Sequence, residues 1–182
     1  DVRDMTQKEL RDKLGYVPQK GVLFSGTIDS NIRYGKEDAT KEEVNRAAEI
    51  AQAQEFIGQK EKGMESEIAQ GGTNVSGGQK QRLSIARAIA KNPEIYIFDD
   101  SFSALDYKTD VVLRRALKKE TKDATTLIVA QRISTILHAD KILVLDEGKI
   151  VGEGTHKELL KTCEIYQQIA MSQLSKEELE HE

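Results

Sequence analysis

The sequence predicts an α/β fold in which helices flank a parallel sheet, and three observations support this prediction. The run Ile95-Tyr96-Ile97-Phe98 is apolar and ends in two carboxylates, Asp99 and Asp100. Such a run suits a strand buried on both faces of a parallel sheet. Helical periodicity precedes it, and the β-branched run at residues 125–130 predicts a further strand. Because ligands of open α/β sheets bind at the carboxyl ends of strands, we expect function near Asp99 and Asp100.

Composition limits the classes of protein that this chain can represent. Its 182 residues suffice for one domain, or for one domain with a subdomain. A net charge of −4 with dispersed lysines and arginines argues against a nucleic-acid partner. The single cysteine, Cys163, excludes an internal disulfide framework, and we expect it to be a small buried hydrophobe in a helix. No apolar run approaches the length of a membrane span, so we expect a polypeptide that is soluble by itself.

Capping boxes predict where four of the helices begin. In this pattern a Ser or Thr precedes a Glu or Gln by three positions, and each side chain accepts a hydrogen bond from the other residue's backbone N–H. The pairs are Thr6 with Glu9, Thr40 with Glu43, Ser76 with Gln79 and Thr155 with Glu158. The third helix should stop at Asn92-Pro93. A short strand should end at Pro18, and residues 27–72 indicate an all-helical insertion.

The later part of the chain predicts a hairpin and further helices. Asp106 can cap a helix, and Asp146-Glu147-Gly148 lies between two apolar runs, which is a hairpin signal. Ile165, Ile169 and Met171 indicate a last amphipathic helix, followed by a charged, frayed tail at residues 175–182. The three histidines are expected at the surface or at helix ends: His138, His156 and His181.

The segment Ser76-Gly77-Gly78-Gln79 is the first candidate functional feature. Two adjacent glycines leave backbone N–H groups open to close approach, because no Cβ shields them. The partial positive charge of the helix N-terminus and these free N–H groups suit a phosphate. An ordinary capped helix after a glycine turn is the alternative, and Ser-Gly-Gly alone would favour it.

Several motifs in order strongly resemble the nucleotide-binding domain of ABC transporters. Val75-Ser76-Gly77-Gly78-Gln79 resembles the signature motif, residues 95–100 resemble the Walker B strand, and Ser103-Ala104-Leu105-Asp106 resembles the D-loop. Residues 23–28, Leu-Phe-Ser-Gly-Thr-Ile, resemble the exporter branch. The resemblance implies a partial P-loop ABC ATPase core plus an α-helical subdomain. It divides residues 1–182 into a helical subdomain with the signature motif (27–92), a part from Walker B to the C-terminal region of the core (93–174) and a charged tail (175–182).

The resemblance also implies ATP and Mg²⁺ as cofactors and assigns their contacts. Asp99 and the Q-loop residue Gln19 would bind Mg²⁺, while Asp100 and Gln131 occupy the positions of the catalytic base and the switch residue. The remaining nucleotide contacts would be Gln19, Ser76, Gly77, Gly78, Gln79, Ser103 and Asp106.

Three departures from the family pattern shape the expected activity. The sequence contains no G-x-x-x-x-G-K-[ST], a loop that the family places upstream of Gln19. Asp100 stands where competent members have glutamate, and Gln131 stands where they have histidine. The chain therefore looks like the later portion of a domain, and alone it should neither bind ATP tightly nor hydrolyse it. Its own site should be degenerate, whereas its intact signature motif would complete a partner's site.

These features predict the ATPase domain of an exporter at the cytoplasmic face of the membrane. Its partners would be a second nucleotide-binding domain, from a different subunit, and a transmembrane domain. A homodimer and an engineered variant are alternatives. Exposed apolar residues around Phe24 and Phe56 would contact the transmembrane partner, although core packing is an equal alternative for Phe56. Two other functions remain open: a regulatory nucleotide-binding or interaction module without catalysis, and a soluble ABC ATPase. The transported substrate is not specified.

Overall fold

The computed structural model describes residues 1–174, which fall into two compact units that meet between Val129 and Ala130 in the sequence. The predicted tail at 175–182 lies outside the described residues, and the subdomain boundary at residues 92 and 93 stays a prediction. The first unit contains, in order, α1 (Gln7–Lys13), β1 (Leu14–Val17), β2 (Gly26–Thr27), α2 (Ile28–Arg33), α3 (Lys41–Ile50), α4 (Gln54–Gly58), β3 (Glu67–Ile68), α5 (Gly77–Lys91), β4 (Ile95–Asp99), α6 (Tyr107–Glu120) and β5 (Thr125–Val129).

The predicted parallel sheet is confirmed and has the strand order β1-β4-β5. Val17 lies opposite Phe98 in β4, which in turn lies opposite Ile128 in β5. All three strands therefore end at the same edge, and Asp99 lies on that edge opposite Val129. The topology thus brings polar residues that follow β1 and β4 into one neighbourhood.

The two faces of this sheet differ in burial, so the prediction that β4 is buried on both faces is wrong. Tyr96 and Phe98 are buried, whereas Ile95, Ile97 and Asp99 are only half-buried. On the face that carries Ile97, Tyr16 is 56% exposed and Leu127 is 53% exposed. The apolar run in β4 predicts a strand correctly, but apolar character alone does not show how much of each face is covered.

The core of the first unit lies between the sheet and α2, α3 and α5. Val17, Tyr96 and Phe98 belong to the same buried cluster as apolar residues of α2, α3 and α5. Gly35 lies so close to α5 that an added Cβ would clash with the Arg87 carbonyl oxygen. Phe56 is 5% exposed and part of this cluster, so the core alternative holds for Phe56 and its predicted surface contact is wrong.

The predicted helical insertion is confirmed in its helices but not in its all-helical character. β2 and β3 pair antiparallel, with Gly26 opposite Ile68 and Thr27 opposite Glu67. Each strand has two residues, which is too short for a periodic signal in the sequence. This pair closes residues 27–68 into a loop of helices whose two ends meet.

The capping residues confirm the predicted helix starts. Reciprocal hydrogen bonds are present at all four predicted pairs, Thr6–Glu9, Thr40–Glu43, Ser76–Gln79 and Thr155–Glu158. Asp106 accepts a hydrogen bond from Thr109 N at the start of α6. Asn92 ends α5 in the left-handed conformation with φ 49°. Capping depends on residues three apart, which is why the sequence predicts it well.

The second unit contains a hairpin and three helices: α7 (Ile133–Ile136), β6 (Ile142–Asp146), β7 (Lys149–Gly154), α8 (His156–Thr162) and α9 (Glu164–Gln173). β6 and β7 pair antiparallel across Glu147 and Gly148, as predicted. Cys163 is buried, as predicted, but it lies between α8 and α9 rather than inside a helix.

His156 is the first residue of α8, a helix end as predicted, and it is also buried, with its Nδ1 2.8 Å from the Tyr166 hydroxyl oxygen. The predicted apolar face of α9 is wrong at Met171. In α9 the fully buried positions are Tyr166 and Ala170, whereas Met171 is 67% exposed. Tyr166 carries an apolar ring that packs inside while its hydroxyl bonds to His156, so the polar group did not prevent burial. No helix among residues 1–174 is both long enough and apolar enough to cross a membrane.

Candidate functional site

The tip of α5 is the glycine-flanked N-terminus formed by Ser76, Gly77, Gly78 and Gln79. Ser76 Oγ accepts a hydrogen bond from Gln79 N at 3.2 Å, and Gln79 Oε1 accepts one from Ser76 N at 3.1 Å. A Cβ added at Gly77 would have no neighbour within 4 Å, because this glycine faces open space. The tip therefore presents unshielded backbone to an approaching group while its cap is completed by its own residues.

The loop at residues 103–106 packs against this tip. A Cβ added at Gly78 would lie 3.3 Å from the carbonyl oxygen of Ala104, so the loop follows the glycine closely. Ser103 Oγ donates to the carbonyl oxygen of Asp100 at 2.9 Å, which ties the loop to the end of β4. The backbone N–H of Thr109 donates to Asp106, and this bond holds the pKa of the Asp106 carboxyl below its usual value. The loop thus connects the tip of α5 with the carboxylates that follow β4.

The carboxyl end of β4 gathers three of the predicted site residues. Gln19 Nε2 donates to Asp100 Oδ2 at 3.1 Å, so the residue after β1 reaches the second carboxylate. Tyr16 donates through its hydroxyl to Asp99 Oδ2 at 3.0 Å. This hydrogen bond raises the pKa of the Tyr16 phenol, because the phenolate would lie against a negative charge. Sequence reasoning identified Gln19, Asp99 and Asp100 but not Tyr16. Side chains along β1 point alternately to the two faces of the sheet, and Tyr16 lies on the exposed face.

Backbone contacts hold the two carboxylates in place. Asp100 has φ 43°, in the left-handed region that aspartate tolerates better than most residues. Its N–H donates to the carbonyl oxygen of Val129 at 2.9 Å. Ser101, which is fully buried, donates through Oγ to the carbonyl oxygen of Val17 at 2.9 Å. The ends of all three strands are therefore joined at the residues that follow β4.

Gln81 links α5 to the segment that carries Gln19. Its Nε2 donates to the carbonyl oxygen of Pro18 at 3.0 Å, and the side chain is buried. A Cβ added at Gly21 would lie 2.8 Å from the backbone of Lys80, so the same segment lies directly against α5. Sequence reasoning did not identify Gln81, although a glutamine on the apolar face of a helix was a usable signal, since a buried amide needs partners.

Gln131 is the predicted site residue that belongs to the second unit. Its carbonyl oxygen accepts a hydrogen bond from Gln173 Nε2 at 2.9 Å. The Oε1 of Gln173 accepts from the N–H of Ile133 at 2.9 Å, so one amide holds both ends of this turn. The first unit brings together Gln19, Asp99, Asp100 and Ser103, whereas the role of Gln131 stays a prediction.

Oxygen donors dominate the end of β4, which bears on the predicted Mg²⁺. Two carboxylates and the Gln19 carboxamide supply the ligand type that Mg²⁺ prefers, and the ion is usually held by one or two carboxylates together with substrate phosphates. The donor set fits Mg²⁺ shared with a substrate. Residues 1–174 contain no group of three or more His, Cys, Asp or Glu residues that could hold a metal by themselves.

Comparisons with known proteins identify the family of this chain. The sequence profile of the ABC transporter family matches residues 1–103. An uncharacterised ABC transporter ATP-binding protein of Bacillus subtilis is 46% identical over 176 residues, which is 97% of this chain and 30% of the relative. A Staphylococcus aureus protein, named for multidrug export as an ATP-binding/permease protein, is 46% identical over 93% of this chain and 29% of its own length.

A solved structure of a bacterial Atm1-family ABC exporter with ATP bound superposes with a TM-score of 0.92 at 40% identity. The match covers 97% of this chain and 31% of that exporter. The chain thus spans about a third of the length of the proteins that it matches. With the family profile covering more than half of its residues, the chain belongs to the ABC transporter family.

Proposed function

We propose that this chain is the ATP-binding and ATP-hydrolysing part of an ABC exporter, in which ATP-driven dimerisation is coupled to transport. The observation that carries this proposal is the tip of α5. Gly77 faces open space there, and Gly78 packs on the loop at residues 103–106. An open, self-capped helix tip can be pressed against a phosphate without losing its own hydrogen bonds.

The carboxyl end of β4 supports a second element of the proposal, a Mg²⁺–ATP site of limited activity. Asp99 and Gln19 would hold Mg²⁺, which supplies charge compensation to the phosphate oxygens when bound. Tyr16, by donating to Asp99, keeps that carboxylate oriented. Asp100 would orient the attacking water, and Gln19 already fixes its carboxylate by a hydrogen bond. A phosphate-binding loop of the usual pattern is absent from the sequence, so this site depends on such a loop from elsewhere.

Asp100 should be a poor general base in this site. Its carboxylate is one methylene shorter than that of glutamate, which withdraws it by roughly 1.5 Å. A displacement of about 1 Å can cost about 100-fold in rate. Gln131 adds to the deficit, since an amide cannot carry the charge that a histidine side chain can. We infer that nucleotide bound here is turned over slowly.

The signature residues would instead serve the partner's site. Ser76, Gly77, Gly78 and Gln79 retain the full set of donors, and their cap needs no help from outside the helix. This combination of a weak own site and an intact tip favours one subunit of a heterodimeric exporter with unequal sites. A homodimer with two weakened sites is the alternative.

The exporter assignment also implies a transmembrane partner at the cytoplasmic face of a membrane. Phe24 supports this, because it is 43% exposed and its ring packs on Tyr34, which is 68% exposed, with centroids 4.5 Å apart. An exposed pair of aromatic rings is a suitable contact for the apolar surface of a partner. Phe56 is withdrawn from this role because it lies in the core.

Turnover by a mixed pair of domains tests the proposal. The chain is combined with a complete ABC ATPase domain that carries its own phosphate loop, catalytic glutamate and switch histidine. Ser76→Ala or Gln79→Ala in this chain should lower the partner's ATP turnover by about 100-fold, because contacts to the terminal phosphate are lost. Asp100→Asn in this chain should leave that turnover nearly unchanged.

Thr155→Ala is the matched control for these variants. It removes the same kind of cap from α8, in the second unit, at a similar cost of about 1 kcal/mol in helix stability. An equal loss of turnover with Thr155→Ala would attribute the effect to helix capping in general. That result would contradict a role for the tip of α5 in the partner's site.

A regulatory module without catalysis is the second candidate function, and Asp100 with Gln131 favours it. In that case neither Ser76→Ala nor Gln79→Ala would change the partner's turnover, although nucleotide would still bring the two domains together. The turnover assay separates the two functions, and analytical ultracentrifugation with and without ATP checks that the mixed pair has formed in either case. A soluble ABC ATPase acting on nucleic acid would instead give a salt-dependent shift with DNA or RNA.

A further inference from the structure

A compact turn at residues 69–75 connects β3 with the tip of α5. Within it, Gly72 N donates to the carbonyl oxygen of Ala69 at 2.8 Å, and Val75 N donates to that of Gly72 at 3.2 Å. Gly71 and Gly72 both have φ 67°, in the left-handed region that favours glycine. A Cβ added at Gly72 would lie only 3.3 Å from Val75 Cγ2, so the turn is closely packed as well.

The Asn74 side chain ties this turn back to β3. Its Oδ1 accepts a hydrogen bond from Ala69 N at 3.0 Å, and its Nδ2 donates to the carbonyl oxygen of Glu67 at 2.8 Å. These two backbone groups lie on either side of Ile68, on the edge of β3 that does not pair with β2. One carboxamide therefore satisfies both open backbone groups of a two-residue strand.

The first turn of α5 needs such a link, because its own residues anchor it poorly. Ser76 and Gln79 bond to each other, so these hydrogen bonds fix the shape of the tip but not its position. Gly77 and Gly78 follow Ser76 and have no side chains with which to pack. Asn74 lies two residues before Ser76, and its hydrogen bonds join the start of the tip to the β2–β3 pair.

We propose that Asn74 is a positioning residue, which holds the tip of α5 in the place where it meets the partner's nucleotide. This inference rests on the proposed function, in which the tip completes the partner's site. A displacement of about 1 Å at a reacting site can cost about 100-fold in rate, and two hydrogen bonds to backbone limit such a displacement. Asn74 is exposed, so water can take over both backbone groups when the side chain is removed, and the chain should still fold.

Hydrogen–deuterium exchange of the 182-residue chain tests the positioning by itself. We expect Asn74→Ala to speed exchange several-fold at Ala69, and also at Gln79 and Lys80, whose N–H groups donate to Ser76. Thr73→Ala is the matched control, because it removes an exposed side chain from the same turn without touching either hydrogen bond of Asn74. Faster exchange that is confined to Ala69 would overturn the inference.

ATP turnover by the mixed pair of domains tests the consequence for the partner's site. Asn74→Ala should lower the partner's turnover on the order of 10-fold even with this chain in saturating excess, since excess chain offsets weaker pairing but not a displaced tip. Asn74→Asp keeps the acceptor for Ala69 N but loses the donor to the Glu67 carbonyl oxygen, so its turnover should be intermediate. Thr73→Ala should leave turnover unchanged.

Ser76→Ala, measured in the same assay, separates this inference from the proposed function. If Ser76→Ala lowers the partner's turnover and Asn74→Ala does not, the positioning role is overturned while the proposed function stands. If neither variant lowers it, the proposed function fails and the role of Asn74 fails with it. Full recovery of turnover by excess Asn74→Ala chain would also overturn the inference, because Asn74 would then act on pairing alone.

Discussion

The tip of α5 and the carboxyl end of β4 are built in different ways. At the tip, Ser76 and Gln79 satisfy each other across three positions of sequence. At the end of β4, Asp99 and Asp100 rely on Tyr16 and Gln19, which lie 83 and 81 positions away. The tip is thus complete in itself and suited to being presented to another molecule. The carboxylate end depends on long-range assembly, and it is also where we propose the weaker activity.

Lengthening the Asp100 side chain should give the largest of the expected changes in ATP turnover, because it acts at the end of β4, the region that we propose is the less active one. We expect Asp100→Glu to raise the turnover of the chain's own site by up to about 100-fold, because the carboxylate regains its reach toward the attacking water. The measurement is ATP turnover in a chimera in which this chain replaces the matching 176 residues of the Bacillus subtilis relative.

Asp100→Asn is the matched control in that chimera, because it keeps the length and removes the charge. Part of the gain from Asp100→Glu can be offset by strain, since φ is 43° at this position. If turnover is the same with aspartate, glutamate and asparagine, Asp100 does not orient the water, and the contrast between the two regions fails.

The two glycines at the tip allow a finer comparison. Gly77→Ala meets no neighbour within 4 Å, so it should fold normally and stabilise α5 by up to about 1 kcal/mol. Its methyl group would nevertheless keep a phosphate from the backbone, and the partner's turnover should fall on the order of 10-fold.

Gly78→Ala is the companion variant for this test. Its Cβ would lie 3.3 Å from the Ala104 carbonyl oxygen, so the loop at residues 103–106 has to move by a few tenths of an ångström. We expect a similar loss of partner turnover without the gain in stability, as followed by urea unfolding. If the partner's ATP turnover is unchanged in both Gly77→Ala and Gly78→Ala, no phosphate approaches the backbone at the tip of α5.

Gln81 connects the two regions, and its loss should be felt as stability. Gln81→Leu keeps the approximate volume but leaves the Pro18 carbonyl oxygen without its donor, at a cost of about 1–3 kcal/mol. Urea unfolding measures this cost, and Lys80→Leu, one residue earlier, controls for a change in helix propensity. A loss below about 0.5 kcal/mol would show that Gln81 does not hold the Gln19 segment.

Acid should affect the loop at residues 103–106 more than the tip, and this is the smallest of the expected effects. The folded-state pKa of Asp106 is depressed, so its contribution is present above the unfolded pKa and is lost as pH falls through the folded pKa. The cap of α5 contains only a serine and a glutamine, so it has nothing to titrate in this range. Unfolding measured from pH 6 to pH 3 should therefore lose part of its acid sensitivity in Asp106→Asn. If the stability of Asp106→Asn depends on pH as that of the unchanged chain does, Asp106 does not stabilise α6 as a charged cap.

Local features of the fold followed from the sequence, while those that depend on packing did not. The caps at Ser76 and Asp106 and the hairpin at Gly148 each involve neighbouring residues, so the pattern and the structure agree. The exposure of Leu127 and the burial of His156 depend on what other elements cover them. The pairing of β2 with β3 was likewise invisible, because two-residue strands have no periodicity.

The residues of the candidate site show the same difference between what the sequence pattern predicts and what depends on long-range contacts. Asp99 and Asp100 were predicted from their position after an apolar strand and Gln19 was assigned by resemblance, and the structure joins Gln19 to Asp100 by a hydrogen bond. Tyr16, Ser101 and Gln81 were not predicted, because each acts through a contact to a residue more than 60 positions away. Gln131 was assigned by resemblance, and its part in the chemistry remains a prediction.

The central claim is that the tip of α5 serves a nucleotide held by another domain. A structure of this chain paired with a complete ABC ATPase domain and a non-hydrolysable ATP analogue tests it most directly. We expect the backbone nitrogen of Gly77 or Gly78 to lie about 3 Å from an oxygen of the terminal phosphate held by the partner. A tip beyond hydrogen-bond reach of every phosphate in that pair would contradict the account.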